Sequence, residues 1–262
     1  MKILFDSHCH IDDEAYDDCR QLLMEEIEAS QLAFLADIGT NEESSLACIA
    51  NAAKYPYVYA AVGYHPAEVE KLNEESFARL RELCKQPKVV AIGEIGLDYY
   101  WEDNPPKELQ RYWFGRQIDL AKELGMPICI HSREADQECL DLLKEHNAFD
   151  GSIKVLLHCF SGSAELAKQY RKLGAYISMA GPVTYKNNRK GPEVVEAIGL
   201  DHLLIETDSP YLTPVPLRGQ TNKPVNVKYT AEKIADILGL SFEEVAETTM
   251  ANAKEFYGIT DC

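Results

Sequence analysis

A single-domain α/β fold, the TIM-type (β/α)8 barrel over residues 1–262, is what this sequence predicts. Eight short apolar runs alternate with longer segments of helical period. No Gly/Ser-rich or Pro-rich linker, low-complexity tract or solenoid repeat divides them. The length of 262 residues also suits one barrel of about 250 residues. An open doubly wound sheet is the alternative for the same alternation, and the two differ in where a site lies.

The elements follow in order. Strand one is read at 3–8 (ILFDSH) with a helix over 14–30. Strand two at 33–39 (AFLADIG) leads to a helix over 42–54, with Asn41 as its N-cap. Strand three at 57–63 (YVYAAVG) precedes a helix over 74–85 capped by Asn73, and strand four at 89–94 (VVAIGE) one over 107–124 ended by Gly125. Strand five at 127–131 (PICIH) is followed by a helix over 134–145. Strand six at 154–159 (KVLLHC) is followed by one over 164–173, between Ser163 and Gly174. Strand seven at 175–181 (AYISMAG) and a helix over 193–198 come next. Strand eight at 202–207 (HLLIET) precedes two helices, 227–238, ended by Gly239, and 242–256.

Composition removes several function classes. The chain is 46% hydrophobic and 26% charged, which excludes a disordered, collagenous or coiled-coil protein. No window approaches the roughly 20 apolar residues of a membrane span, and the MKILFDSHCH start lacks a signal peptide's apolar core. A soluble, cytoplasmic protein is expected. Eight scattered cysteines without a CxxC pair read as free thiols of a reducing compartment. The net charge of −17 argues against a broad duplex-binding face, because such affinity comes from Lys and Arg on phosphates. A monomer is the default for an acidic surface with no obvious apolar stripe.

Five of the seven histidines (His8, His10, His65, His131, His158) fall at or just beyond the C-terminal end of a predicted strand. In a barrel those ends converge where active sites are built. The period of two along a strand puts His8 and His10 on one face and Cys9 on the other. An isolated HxH is as well explained by two half-buried structural histidines, and a lone Glu94 by an ion pair. Taken with His131, His158 and Asp208 at other strand ends, the six share a facing parity and form a metal site. Four imidazoles and two carboxylates exceed one catalytic zinc, so two divalent ions are expected. His8, His10 and Asp208 hold one, His131 and His158 the other, and Glu94 bridges. Imidazole-rich ligation points to zinc, manganese or iron-group ions rather than calcium, with magnesium also open.

The segments LFDSHCHID (4–12), VGYHP (62–66), AIGEIGLDYY (91–100), PICIHSREA (127–135), LLHCFSG (156–162), ETDSPYL (206–212) and RGQTNKP (218–224) carry a resemblance that spans almost the whole chain. The sequence resembles the TatD family of metal-dependent deoxyribonucleases, within the amidohydrolase-like metallohydrolases. The resemblance implies a TIM barrel, hydrolysis of DNA phosphodiesters, and metal roles for the same six residues. One departure is Asn222-Lys223-Pro224, where the family often has Asn-Glu-Pro; it bears on how that loop meets substrate.

A phosphodiester substrate calls for cations near the metals. Residues 183–192 and 210–224 contain Lys186, Arg189, Lys190, Arg218 and Lys223 and no acidic residue. Arg218 is the strongest candidate, while solvated loop charges explain the first three as well. Arg133 shares the parity of His131 and can grip a phosphate oxygen; an ion pair with Glu134 or Asp136 is the competing reading. His65 is assigned to phosphate contact. Tyr99, Tyr100 and Trp101 are suited either to stacking on an unpaired base or to packing at the barrel rim. His146 and His202 are structural, and none of Cys9, Cys129 and Cys159 reads as a nucleophile. The expected enzyme is a cytoplasmic, divalent-metal-dependent deoxyribonuclease using metal-activated water at single-stranded, 3′-terminal or abasic sites. Asp208 is its proton acceptor, Glu94 is catalytic through the metals, and Glu206 orients the ligands from behind. The alternatives are a binuclear amidohydrolase acting on a small amide, lactone or nucleobase, and a non-catalytic metal-dependent nucleic-acid-binding protein. Glu94 favours the nuclease over the former, because many binuclear amidohydrolases carry a carboxylated lysine at that strand.

Overall fold

Eight parallel strands lie in the order β1 to β8, each in sequence order beside the next, and eight helical connections separate and follow them. This is the (β/α)8 barrel class that the alternation predicts. The computed structural model describes residues 2–260. Cys262 lies outside them, and no disulfide joins the seven described cysteines.

The described residues form two compact units. The first takes in the chain up to Asp37, Cys159–Lys172, and the chain from Tyr176 on. It holds β1 (Leu4–Cys9), α1 (Arg20–Ala29), β2 (Leu32–Ile38, to Asp37), α6 (Ala164–Lys172), β7 (Tyr176–Met179), α7 (Lys190–Ile198), β8 (Leu203–Ile205), α8 (Val227–Leu238) and α9 (Phe242–Tyr257). β1 is buried along its whole length. Its apolar Phe5 stacks on Tyr257 of α9, ring centroids 5.8 Å apart, and the Tyr257 hydroxyl donates to the Ser7 carbonyl at 2.6 Å. One helix expected over 14–30 is instead a 3-10 turn (Glu14–Tyr16) followed by α1. At the start of α1 the Arg20 guanidinium takes the carbonyls of Ile11, Asp12 and Asp13 at 2.8–2.9 Å and ties the loop after β1 to the helix.

The second unit spans Ile38–His158 with Leu173–Ala175. It holds α2 (Glu42–Lys54), β3 (Val58–Val62), α3 (Glu74–Leu83), β4 (Val89–Asp98), α4 (Lys107–Leu124), β5 (Ile128–Arg133), α5 (Asp136–Glu145) and β6 (Val155–Leu157). Asn41 and Asn73 cap α2 and α3 as expected, the latter in a reciprocal capping box with Ser76. Gly125 ends α4 in the left-handed conformation.

β4 departs most from expectation, running four residues past Glu94 to Asp98. Its register with β5 passes from Ile92↔Ile128 to Ile95↔Ile130, so β4 carries one extra residue, a bulge at Gly93-Glu94. Beyond it Gly96 pairs with His131 and Asp98 with Arg133. Glu94, Gly96 and Asp98 share one face by alternation. A Cβ on Gly96, whose φ is +143°, would lie 2.0 Å from the His131 carbonyl oxygen, so only glycine allows this approach.

Candidate metal sites

In the second unit the expected ligands meet. His158, one residue past β6, and His131 on β5 both aim a ring nitrogen at Glu94 Oε1, His158 Nε2 at 2.7 Å and His131 Nδ1 at 2.8 Å. The two nitrogens are 3.4 Å apart. Glu94 is 4% exposed. Tetrahedral ligands with bonds of about 2.0–2.1 Å sit about 3.3 Å from one another; the 3.4 Å between the two nitrogens matches this, and the two contacts to Glu94 are hydrogen bonds that would lengthen by about 0.5 Å around a divalent ion. Burial alone would push the Glu94 carboxyl up; the imidazoles of His158 and His65 and hydrogen bonds from His131 and His158 outweigh it and hold it well below the usual carboxylate range. Glu94 is therefore an anion ready to ligate.

The other face of His131 is equally ordered. Its Nε2 lies 3.1 Å from Asp98 Oδ2, and the second Asp98 oxygen accepts the Tyr100 amide at 2.9 Å. Gln110 brackets the Asp98 backbone on both its amide and its carbonyl. With Nε2–H donating to a carboxylate, His131 Nδ1 is left to ligate, the tautomer selection common behind metal-bound histidines. Burial pushes the His131 pKa down, but its bonds to Asp98 and Glu94 prevail and raise it.

His65, also in this unit, is placed differently from the ligands. It caps the 3-10 turn Pro66–Lys71, its Nδ1 accepting the Ala67 amide at 3.1 Å. Burial, and then the neighbouring His131, lower its pKa to about 3, so the ring is neutral. Its proton then sits on Nε2, 3.7 Å from Glu94 Oε1. An imidazole that accepts on one nitrogen and carries its proton on the other is a hydrogen-bond donor, although His65 also lies with Asp98 and His131 in a group whose ligand atoms are close enough to share an ion. Arg133 follows at the end of β5. Its guanidinium lies 3.7 Å over the Tyr100 ring, and among the described residues no ion pair with Glu134 or Asp136 competes.

In the first unit, His8, His10 and Asp208 converge. Asp208 lies three residues past β8, yet the β1 ladder continues to it. The Asp208 amide donates to the His8 carbonyl at 2.9 Å and the His10 amide to the Ser209 carbonyl at 2.8 Å. This interleaving places Asp208 Oδ1 3.8 Å from His8 Nε2 and 3.5 Å from His10 Nε2. Asp208 has φ +54°, a left-handed conformation that Asp tolerates better than most residues. Asp6 fixes the crossing: it is fully buried and accepts the Thr207 amide at 2.9 Å and the Thr207 hydroxyl at 2.5 Å. Burial raises its pKa well above the usual range, against those bonds. Glu206 is fully buried and accepts the Ser178 hydroxyl at 2.5 Å.

The loop after β8 corrects one reading. Lys223 is engaged by Glu26 at 2.7 Å and is no spare cation. Asn222 beside it is a buried clasp, donating to the Thr207 and Tyr211 carbonyls and accepting from Asn226 and the Lys223 amide. Arg218 is exposed and lies 4.0 Å over the Tyr185 ring. Lys186, Arg189 and Lys190 are exposed. His146, at the end of α5, pairs with Asp119 at 2.8 Å, and His202 with Asp201 and Arg171, both structural as expected.

Asp98, Asp6 and Asn222 escape the sequence reading. Asp98 had a visible signal, the alternation Glu94-Gly96-Asp98, which a strand ended at Glu94 conceals.

Metal-ligating groups on strand ends are shared by several hydrolase families, and comparison decides between them. The family model described as TatD related DNase matches residues 5–258. The chain belongs to this family of metal-dependent hydrolases. It is 43% identical to the Bacillus subtilis "Uncharacterized metal-dependent hydrolase YabD", covering 98% of this chain and all of the relative. It is 36% identical to the Mycobacterium tuberculosis "Uncharacterized metal-dependent hydrolase TatD", covering 98% of each. Among solved structures it matches YJJV, a TatD homologue from Escherichia coli K12, with a TM-score of 0.91, 28% identity and 99% of both chains covered. Membership in the TatD family agrees with the buried His/Glu clusters and with the (β/α)8 class. No helix among the described residues is long and apolar enough to cross a membrane.

Proposed function

We propose that this TatD-family hydrolase is a divalent-metal-dependent deoxyribonuclease acting on phosphodiester bonds at single-stranded, 3′-terminal or abasic sites. In this reading His8, His10 and Asp208 hold one ion, and Glu94, His131 and His158 hold a second. The observation that carries it is Glu94, a buried carboxylate oxygen within 2.8 Å of two imidazole nitrogens, in a chain matched by a family model described as a DNase. Imidazole-rich donors favour zinc, manganese or an iron-group ion, with magnesium in range.

When bound, such ions activate water and neutralise charge developing on phosphoryl oxygens. The remaining work falls to the chain's own groups. Asp208, its side chain 16% exposed, is the proton acceptor. Glu206, fixed by Ser178, steadies the ligands from behind. His65 Nε2–H donates to a phosphoryl oxygen. Arg133 and Arg218 present guanidinium edges to the phosphate, each held by stacking on a tyrosine. The net charge of −17 favours exposed ends and single strands over intact duplex.

End-labelled single-stranded and abasic-site DNA, incubated with protein plus manganese, magnesium or chelator, tests the reading. A metal-dependent ladder or defined cut is expected. In His131→Ala with the fold retained, the loss should exceed the about 10–100-fold typical of outer metal partners. Two ions bound per chain without DNA cleavage would refute it in favour of a small-molecule hydrolase.

A further inference from the structure

We infer that Tyr100, Trp101 and Arg133 form a stacking platform for one unpaired nucleobase of the substrate strand, an inference that rests on the nuclease reading. Large apolar side chains are mostly buried in the second unit, yet Tyr100 is 45% and Trp101 57% exposed. Neither ring packs at a rim in the manner of a core residue. They meet edge to face, centroids 4.7 Å apart at 85°, so each leaves a face uncovered by the other. The Arg133 guanidinium lies 3.7 Å over Tyr100 and 5.3 Å from the Trp101 ring. Arg133 covers one face of Tyr100, so the corner they form offers an incoming base the outer guanidinium plane, backed by Tyr100, and the exposed Trp101 ring; both aromatic faces and Arg planes stack unpaired bases.

The corner is tied to the His131 ligand set. Arg133 is two residues beyond His131 on β5, about 7 Å along a strand. Asp98 holds His131 Nε2 with one oxygen and the Tyr100 amide with the other, and the Tyr99 amide donates to the Arg133 carbonyl at 2.9 Å. A base next to a phosphate bound at that ligand set therefore reaches the platform.

The local charge selects a base over a second phosphate. Exposed Glu102 and Asp103 follow Trp101 directly, and two carboxylates repel phosphate while a neutral heterocycle is indifferent to them. Arg133 keeps its N–H edges for phosphate and uses its face for the base. A base in this corner cannot also be stacked in a duplex, so the platform selects single strands and frayed ends.

Tryptophan fluorescence tests this directly, because the chain has two tryptophans and Trp113 is 5% exposed. Chelator-treated protein is titrated with a short oligodeoxythymidylate and with an abasic chain of the same length and charge. Quenching by the first and not by the second is expected. Tyr100→Ala and Trp101→Ala, followed by anisotropy of labelled oligodeoxythymidylate, should each weaken binding about 5- to 150-fold, the range for losing one stacked base. Equal quenching by the abasic chain, no quenching at all, or unchanged affinity in both variants would overturn the platform. Without metal no hydrolysis enters the measurement. The nuclease reading fails or stands separately, on cleavage by the unmodified protein with metal.

Discussion

Asp98→Asn isolates the role of the carboxylate behind His131. Asn keeps an oxygen for the Tyr100 amide, which Asp98 now accepts at 2.9 Å, and turns its NH2 toward His131 Nε2. The Nε2–H tautomer that leaves Nδ1 free for an ion then faces a donor instead of the acceptor found at 3.1 Å. A hydrogen bond to a charged group contributes about 1.5–3 kcal/mol, which corresponds to about 10- to 150-fold in metal affinity. This agrees with the about 10–100-fold commonly lost with such outer partners. The assay is a metal titration in a buffered-zinc or buffered-manganese series, with metal content per chain measured after dialysis. Loss is expected at one ion of the two, with the His8, His10 and Asp208 set still filled. Circular dichroism in chelator separates this from misfolding, since the variant should keep the secondary structure of the unmodified protein while melting somewhat lower for loss of the His131–Asp98 bond. An Asp98→Asn protein that binds both ions with unaltered affinity would refute the tautomer argument.

Three further outcomes follow from the same geometry. His65→Ala should keep its metal content and lose about 10²- to 10³-fold in DNA cleavage, as for removal of an oriented donor; loss of an ion on metal analysis would instead make His65 a ligand. Gly96→Ala places a Cβ 2.0 Å from the His131 carbonyl oxygen, so β4 and β5 must part by about 1 Å, a displacement that costs about 10²-fold in activity, with a lowered melting temperature; an unchanged melt and rate would refute the close approach. In metal-free protein the His131 pKa is raised, burial opposing but Asp98 and Glu94 prevailing. Its stabilising contribution is full below the unfolded value of about 6.5 and is lost as pH rises through the folded value. The ion needs the neutral ring, so metal affinity should weaken as pH falls from 8 to 6, and equal dissociation constants at the two values would contradict the shift.

How much of the site the sequence discloses depends on the kind of signal each residue leaves. His8 and His10 disclose themselves because alternation on a buried strand fixes their common face. His131 and His158 follow from their place at strand ends. Asp208 is harder, since β8 stops at Ile205. Only the ladder from Asp208 to His8 and from His10 to Ser209 brings its carboxylate to the two imidazoles, and that pairing is a tertiary fact. Asp98 is lost to sequence reading because a bulge at Gly93-Glu94 interrupts the strand where the apolar run ends, and glycine hides the continuation. The carboxylate that sets the His131 tautomer is thus invisible for the same reason that the bulge can re-aim Glu94: both depend on one extra residue in β4. Lys223 shows the opposite failure. A cation in an otherwise unacidic loop looks available, but its partner Glu26 lies 197 residues away in sequence. Charge in a loop reports a substrate contact only once every distant carboxylate has been placed. Among the sequence-predicted cations, Arg133 and Arg218 rest on aromatic rings instead of acids, so among the described residues no ion pair with a carboxylate neutralises either charge.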